Sequence, residues 1–196
     1  MAIPIPSRRS GYRTGSASAP IMIEVFFDLE CPFSKKGWNT VMKVKKSYTL
    51  EQIYWVFQPM SLGNHRQSWD ATKAAIAVAD TDTQNTDTQK FIDFVSYLFE
   101  QQEDFANEAW KDKTQTEFHT FLAECAAKAV EHKDKQQFLN LLTSEKVYAQ
   151  ARIPARFATI RGVWSTPTFF INGAEATMLS SGSSLQDWQS AIDELL

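Results

Sequence analysis

Residues 21–38, I-M-I-E-V-F-F-D-L-E-C-P-F-S-K-K-G-W, constrain the fold more than any other part of the chain. The run from Ile21 to Phe27 is apolar, β-branched and aromatic, with too few polar positions for a half-exposed strand, so it is expected at the centre of a sheet. It stops abruptly at Asp28, Leu29 and Glu30. Cys31 and Pro32 then open a helix expected to run through Lys46. Proline suits the first helical turn, where its missing N–H would have no partner anyway. A cysteine at that start has its sulfur beside unpaired backbone N–H groups, at the positive end of the helix dipole. Such a position favours thiolate, the reactive form. The stretch therefore predicts a site for sulfur chemistry.

A second β-branched and aromatic run, Gln52–Gln58, is stopped by Pro59. Strand, helix and strand within this length make a βαβ unit with a parallel pair. From His65 to about Thr143 the periodicity becomes helical throughout. Trp69, Thr72, Ile76 and Ala79 share one face, as do Phe91, Phe94, Val95 and Leu98. Phe118, Phe121, Leu122 and Cys125 form a third stripe, and Phe138, Leu141 and Leu142 a shorter fourth. The polar repeat T-D-T-Q-N-T-D-T-Q (Thr81–Gln89) between the first two helices is expected to be a loop. Another helix is expected over about Ser144–Ile160, with a kink or restart at Pro154. The run Thr168–Ile171 then meets Asn172-Gly173, a strong hairpin signal, and a short strand near Glu175–Leu179. Ser183 with Gln186 suggests a capping box, and Leu185, Trp188, Ile192 and Leu195 the buried face of a terminal helix.

This order predicts an α/β fold with a central mixed sheet. Residues 1–20, rich in Pro, Ser, Gly and Arg, are expected to be a flexible or edge segment. Residues 21–64 and 144–196 are expected to form the α/β domain, and residues 65–143 an all-helical insertion. Hydrophobic residues are 43% of the 196, with 14 Phe and 6 Trp, which is ample for a buried core.

C-P-F-S after a strand, together with S-T-P-T-F-F-I-N-G late in the chain, resembles the DsbA-like branch of the thioredoxin-fold superfamily. The resemblance covers about Ile21 to Leu196. It implies a thioredoxin-like fold, βαβ and ββα units around a mixed sheet, interrupted by helices. It also implies a cis Thr166–Pro167 bond facing the cysteine, with the Thr166 backbone free to pair with an extended substrate. Cys31 and Ser34 would then be the catalytic positions, and Pro32, Phe33, Thr166 and Pro167 would contact substrate. Two departures stand out. Relatives that make or break disulfides usually carry C-x-x-C, whereas the second position here is Ser34. Many also carry a buried acid on the preceding strand, where this chain has Val25.

A serine hydroxyl does not attack a mixed disulfide as a second thiol does, so Cys31 must be released by an outside thiol. Glutathione is the expected co-substrate, alongside protein thiols or disulfides, with no bound cofactor. Ser34 is expected to donate a hydrogen bond to the Cys31 sulfur. Lys35 and Lys36 add positive charge nearby, and Asp28 and Glu30 oppose it. The resemblance also admits a kappa-type glutathione transferase or isomerase, in which the Ser34 hydroxyl would activate glutathione. A peptide-binding module without redox turnover is the third reading.

Other residues are expected to be structural. Cys125 lies on an apolar stripe and reads as core. Trp38, Trp69 and Trp164 are expected in the core, and Phe33 at the surface. His65 is expected to be a loop or helix-cap residue. With His119 and His132 it lacks ligand spacing, which predicts no metal site. The Lys, Glu and Gln residues between Gln101 and Lys135 are expected to be solvated helix faces. A net charge of −3 and a pI near 5.6 argue against nucleic acid or an anionic membrane as partner. No apolar run reaches transmembrane length. Pro4, Pro6, Arg8 and Arg9 interrupt any signal-peptide core, so a cytoplasmic location is expected, with a faint transit-peptide flavour in the acid-free first twenty residues.

Overall fold

A computed structural model describes residues 5, 6, 8–80 and 87–196. Its sheet has five strands in the order β1-β3-β2-β4-β5. The central strand β2 (Ile21–Phe27) lies parallel to β3 (Ile53–Pro59), with α1 (Pro32–Ser47) as the crossover. On its other side β2 pairs antiparallel with β4 (Thr168–Ile171), which turns into β5 (Ala174–Glu175). The turn is Asn172-Gly173, both at positive φ, as a tight hairpin requires. The second hairpin strand is shorter than expected, since beyond Glu175 the chain leaves the sheet and buries Ala176 and Leu179 instead.

The alternation of β2 explains the two layers. Ile21, Ile23, Val25 and Phe27 join one large buried cluster, with Trp38, Val41 and Val44 of α1. Phe26 points the other way, into a smaller cluster with Ala158 and Phe170. Both faces are covered, so the strand carries hardly any exposed position.

Part of the segment expected to be flexible is sheet. Tyr12–Thr14 form β1, antiparallel to β3 at the sheet edge. Ser10 Oγ lies 2.7 Å from Gln58 Oε1, and the Tyr12 ring stacks on Phe91 with centroids 3.7 Å apart. Gly11 makes this close packing possible. It has φ +86°, and a Cβ there would lie 2.7 Å from Val56 Cγ1.

Between β3 and β4 run α2 (Ser68–Ala79), α3 (Thr88–Glu100), two 3-10 turns (Gln102–Phe105 and Asn107–Trp110), α4 (Gln115–Val130), α5 (Lys135–Leu142) and α6 (Glu145–Ile160). Residues 81–86 of the expected loop lie outside the described residues, and Thr88 already opens α3. Helix α2 is buried nearly all round rather than on one face, because α3, α4, α5 and α6 pack about it. Phe94, Leu98, Phe118 and Phe138 lie in the same buried cluster as the inner face of β2. Helix α6 runs unbroken through Pro154. The last helix, α7 (Leu185–Asp193), is capped one residue later than expected, by Ser184 and Asp187. Leu195 falls beyond it and is exposed, leaving Trp188 and Ile192 as its buried anchors.

Candidate active site

Chain direction alone brings the two motifs together. The C-terminal end of β2 delivers Cys31, and the N-terminal end of its antiparallel neighbour β4 lies alongside, so the residues just before Thr168 meet the start of α1. Cys31 is the N-cap of α1, with Pro32 in the first turn and no acid there. Its sulfur caps nothing in the helix. Instead Cys31 Sγ lies 3.3 Å from the Thr166 carbonyl oxygen, with the thiol as donor. The Thr166–Pro167 bond is cis. Cys31 is 4% exposed and Thr166 6%, whereas Phe33 is 63% exposed and Trp164 84%. Two exposed aromatic residues, Phe33 and Trp164, thus stand two positions along the chain from the two ends of the Cys31–Thr166 contact. Trp164, expected in the core, is therefore surface.

Gly37, one turn further along α1, sets the distance between helix and loop. A Cβ there would lie 2.9 Å from Pro167 Cγ. Any other residue would push α1 off the Pro167 loop.

Ser34 departs from the expected role. It is fully buried, and its Oγ accepts the Asp28 N–H at 3.1 Å, which ties the first helical turn back to the end of β2. Its described contact is with the backbone rather than with the cysteine sulfur. Pro32 and Phe33 face outward and Pro167 is half-buried. Cys31, Thr166 and Pro167 therefore converge, Ser34 lies beneath them, and Phe33 and Pro32 form the outer lip.

The turn from Asp28 to Cys31 is held by buried polar residues whose inward roles sequence patterning did not give. Asp28 is fully buried. Its backbone carbonyl accepts Cys31 N–H at 3.1 Å, Oδ1 accepts Glu30 N–H at 2.8 Å, and Oδ2 accepts Leu62 N–H at 2.6 Å. His65 Nδ1 lies 3.0 Å from the same Oδ2, so this residue serves a buried carboxylate rather than a helix cap. Glu30, 5% exposed, accepts Gln67 N–H at 2.9 Å. Burial raises its carboxyl pKa, which Asp28 also favours, against the lowering effect of the Gln67 hydrogen bond and His65. Gln102 Nε2 donates to Leu29 O at 2.8 Å and Cys31 O at 3.1 Å, from the 3-10 turn that follows α3. Gln102 belongs to a stretch expected to be solvated, yet it is buried. A glutamine in a charged, helix-rich segment carries no sign in sequence that it will be turned inward.

Cys125 is a separate matter. It is buried on α4, and desolvation pushes its thiol up to about 12, far from thiolate at neutral pH. Both cysteines are free. A groove of about 720 Å³ between β5 and α7 is lined by Met178, Leu179 and Asp187, and none of the predicted site residues borders it.

A family model described as thioredoxin matches residues 8–194. The chain belongs to the thioredoxin family. Among solved structures it is similar to a Pseudomonas syringae protein with a provisional assignment as a protein-disulfide isomerase (TM-score 0.77, 18% identity, covering 93% of this chain and 97% of that one). It is also similar to DsbA from Chlamydia trachomatis (0.73, 16%, 100% and 95%) and to oxidised BdbD from Bacillus subtilis (0.72, 18%, 94% and 92%). At these identities the likeness establishes the DsbA-like thioredoxin fold, helices included. Curated relatives named Na(+)/H(+) antiporter NhaA 1, from Mycobacterium sp. strains KMS and JLS, are 26% identical over 171 residues. The match covers 87% of this thioredoxin-family chain but only 24% of those proteins.

Proposed function

We propose that this protein is a thiol–disulfide oxidoreductase that works through Cys31 alone, with glutathione as the resolving thiol. The observation that carries this reading is the placement of Cys31 Sγ at the N-cap of α1, 3.3 Å from the Thr166 carbonyl, with a buried serine where a second thiol would stand. The exposed aromatic side chains of Phe33 and Trp164, each two residues from the Cys31–Thr166 contact, offer apolar surface to an incoming chain.

In the first step the Cys31 thiolate attacks one sulfur of a substrate disulfide. A Cys31–substrate mixed disulfide forms as the substrate S–S bond breaks, and the other sulfur leaves as a thiolate that takes a proton from water. In the second step glutathione thiolate attacks the substrate-side sulfur of the mixed disulfide. Cys31 leaves as thiolate and the substrate departs joined to glutathione. Where the group on Cys31 is itself glutathionyl, the product is glutathione disulfide. Either route exchanges one disulfide for another, with the glutathione sulfur taking the place of the sulfur released as a thiol, and the enzyme returns unchanged.

Burial of Ser34, with its Oγ accepting Asp28 N–H, weighs against the transferase alternative, which needs that hydroxyl at the ligand. Cys125 does not replace the missing thiol, because burial holds it as a thiol.

The test is exchange with a glutathionylated peptide, followed by release of the free peptide in the presence of reduced glutathione. Turnover that disappears in Cys31→Ser and persists in Cys125→Ser is the expected result. Inertness of the unmutated protein overturns the reading. Conjugation to an electrophile that survives Cys31→Ala but not Ser34→Ala would favour the transferase instead.

A further inference from the structure

We propose that His65 is a positioning residue for Cys31, acting through the buried Asp28 carboxylate. The inference deepens the thiol–disulfide reading above and rests on it for its functional meaning. The Cys31 side chain caps nothing in α1, and its thiol donates to the Thr166 carbonyl. Its backbone is set by the preceding turn, whose hub is Asp28. One Asp28 oxygen takes Glu30 N–H, the other takes Leu62 N–H, and the Asp28 carbonyl takes Cys31 N–H. Both carboxylate oxygens already accept backbone N–H groups, so the imidazole 3.0 Å from Oδ2 enters as the donor, with its proton on Nδ1.

The pair is well shielded, Asp28 side chain 0% exposed and His65 12%. A carboxylate so buried depends on every donor it has, because the water it gave up is replaced only by those groups. The other ionisable group close to both is Glu30, whose carboxyl the His65 charge and the Asp28 charge pull in opposite directions. His65 is itself fixed by its backbone, its N–H donating to Leu62 O at 3.1 Å. The Leu62–His65 turn therefore grips Asp28 from one side and passes its geometry to Cys31. Without the imidazole donor the Asp28 carboxylate loses one of its anchors beneath the turn, and the backbone geometry it imposes on Cys31 is loosened.

The two amide replacements separate this role from simple packing. Asparagine at 65 places an amide N–H where Nδ1 stands, whereas glutamine carries its amide further out. Cys31 alkylation by iodoacetamide, followed by mass with Cys125 as internal reference, is measured across the neutral pH range beside urea unfolding. In His65→Gln the Cys31 rate at neutral pH is expected to fall about tenfold, the loss of one hydrogen bond to a charged group. In His65→Asn it is expected to stay within about threefold of the parent. Alkylation profiles that match the parent in both variants while their urea midpoints drop overturn the proposal, since His65 would then only support the fold. If His65→Gln does not fold, ring nitrogen NMR on the unmutated protein decides. Nδ1 protonated is expected, and a bare Nδ1 overturns it. These readouts need no disulfide substrate. Absent glutathione exchange would sink the catalytic reading alone, and exchange with unaltered His65→Gln alkylation would sink the positioning role alone.

Discussion

Glu30 shows how one side chain is costly in one respect and useful in another. It precedes Cys31, is almost fully buried, and has its pKa raised chiefly by desolvation. An acid whose folded pKa exceeds its unfolded value binds more protons in the native state between the two values. Stability therefore falls as pH rises from the ordinary glutamate range through the raised folded pKa, and the loss is complete above it. Glu30→Gln removes that titration and keeps an oxygen for Gln67 N–H. The variant is expected to lose less stability than the parent between about pH 4 and neutrality, by roughly 1 kcal/mol for each unit of raised pKa removed. Chemical denaturation at a series of pH values measures it. Two curves of identical slope over that range would show that the Glu30 charge is not a burden in the native state.

At the scale of elements, the decisive contact is between α1 and the loop before β4. Gly37 lets the helix approach Pro167 closely, and a methyl group there has nowhere to go, because its nearest neighbour is a proline ring rather than a flexible chain end. Gly37→Ala gains helix propensity, worth about 1 kcal/mol. Overpacking against Pro167 costs about 1–3 kcal/mol, so a net loss of stability is expected. The same displacement lengthens the Cys31–Thr166 contact, so Cys31 alkylation is expected to change alongside the urea midpoint. A stabilised Gly37→Ala with unchanged Cys31 reactivity would refute the close approach. Gln102 makes the complementary contact from the helical side, supplying both its amide hydrogens to the turn carbonyls of Leu29 and Cys31. It ties the 3-10 turn after α3 to the cysteine across 71 residues of chain.

For the whole molecule, one buried cluster runs from Val25 and Trp38 through Phe91 and Phe99 to Phe118 and Phe138. The sheet and the helices between β3 and β4 share it, so neither has a separate core to retain when the other melts. Unfolding is expected as a single transition, with far-UV circular dichroism, reporting mainly the helices, and tryptophan fluorescence, reporting Trp38, Trp55 and Trp188 on the sheet side together with Trp69 and Trp110 of the helical segment, each changing in one step at the same urea concentration. Separated midpoints would show that the helical segment unfolds as an independent unit. The edge strand β1 belongs to the same cooperative body, because Tyr12 stacks on Phe91 of α3 while pairing with Phe57 of β3.

Local chemistry in the sequence was enough for the strands and helices from Ile21 onward, though not for β1 or the two 3-10 turns, and for the likeness to the thioredoxin fold. The apolar run to Phe27, Pro32 in the first turn of α1 and Asn172-Gly173 at the hairpin each declare their conformation through their own sterics and hydrophobicity. Cys31 was legible for the same reason. The shift of the final cap from Ser183 to Ser184 is the kind of error local signals allow, because two adjacent serines both have an acceptor to offer, and Ser183 Oγ instead accepts Ser180 N–H. What only the tertiary structure decided is which polar side chains turn inward. Asp28, His65, Gln102 and Ser34 are separated by up to 74 positions in the chain, yet they close around one turn. The motif marked Ser34 and the position of Asp28, but nothing in the neighbourhoods of His65 and Gln102 shows that they turn inward to this turn. Their roles arise because folding buries the carbonyls and N–H groups of residues 28–31, and each buried group must find a partner wherever the chain brings one.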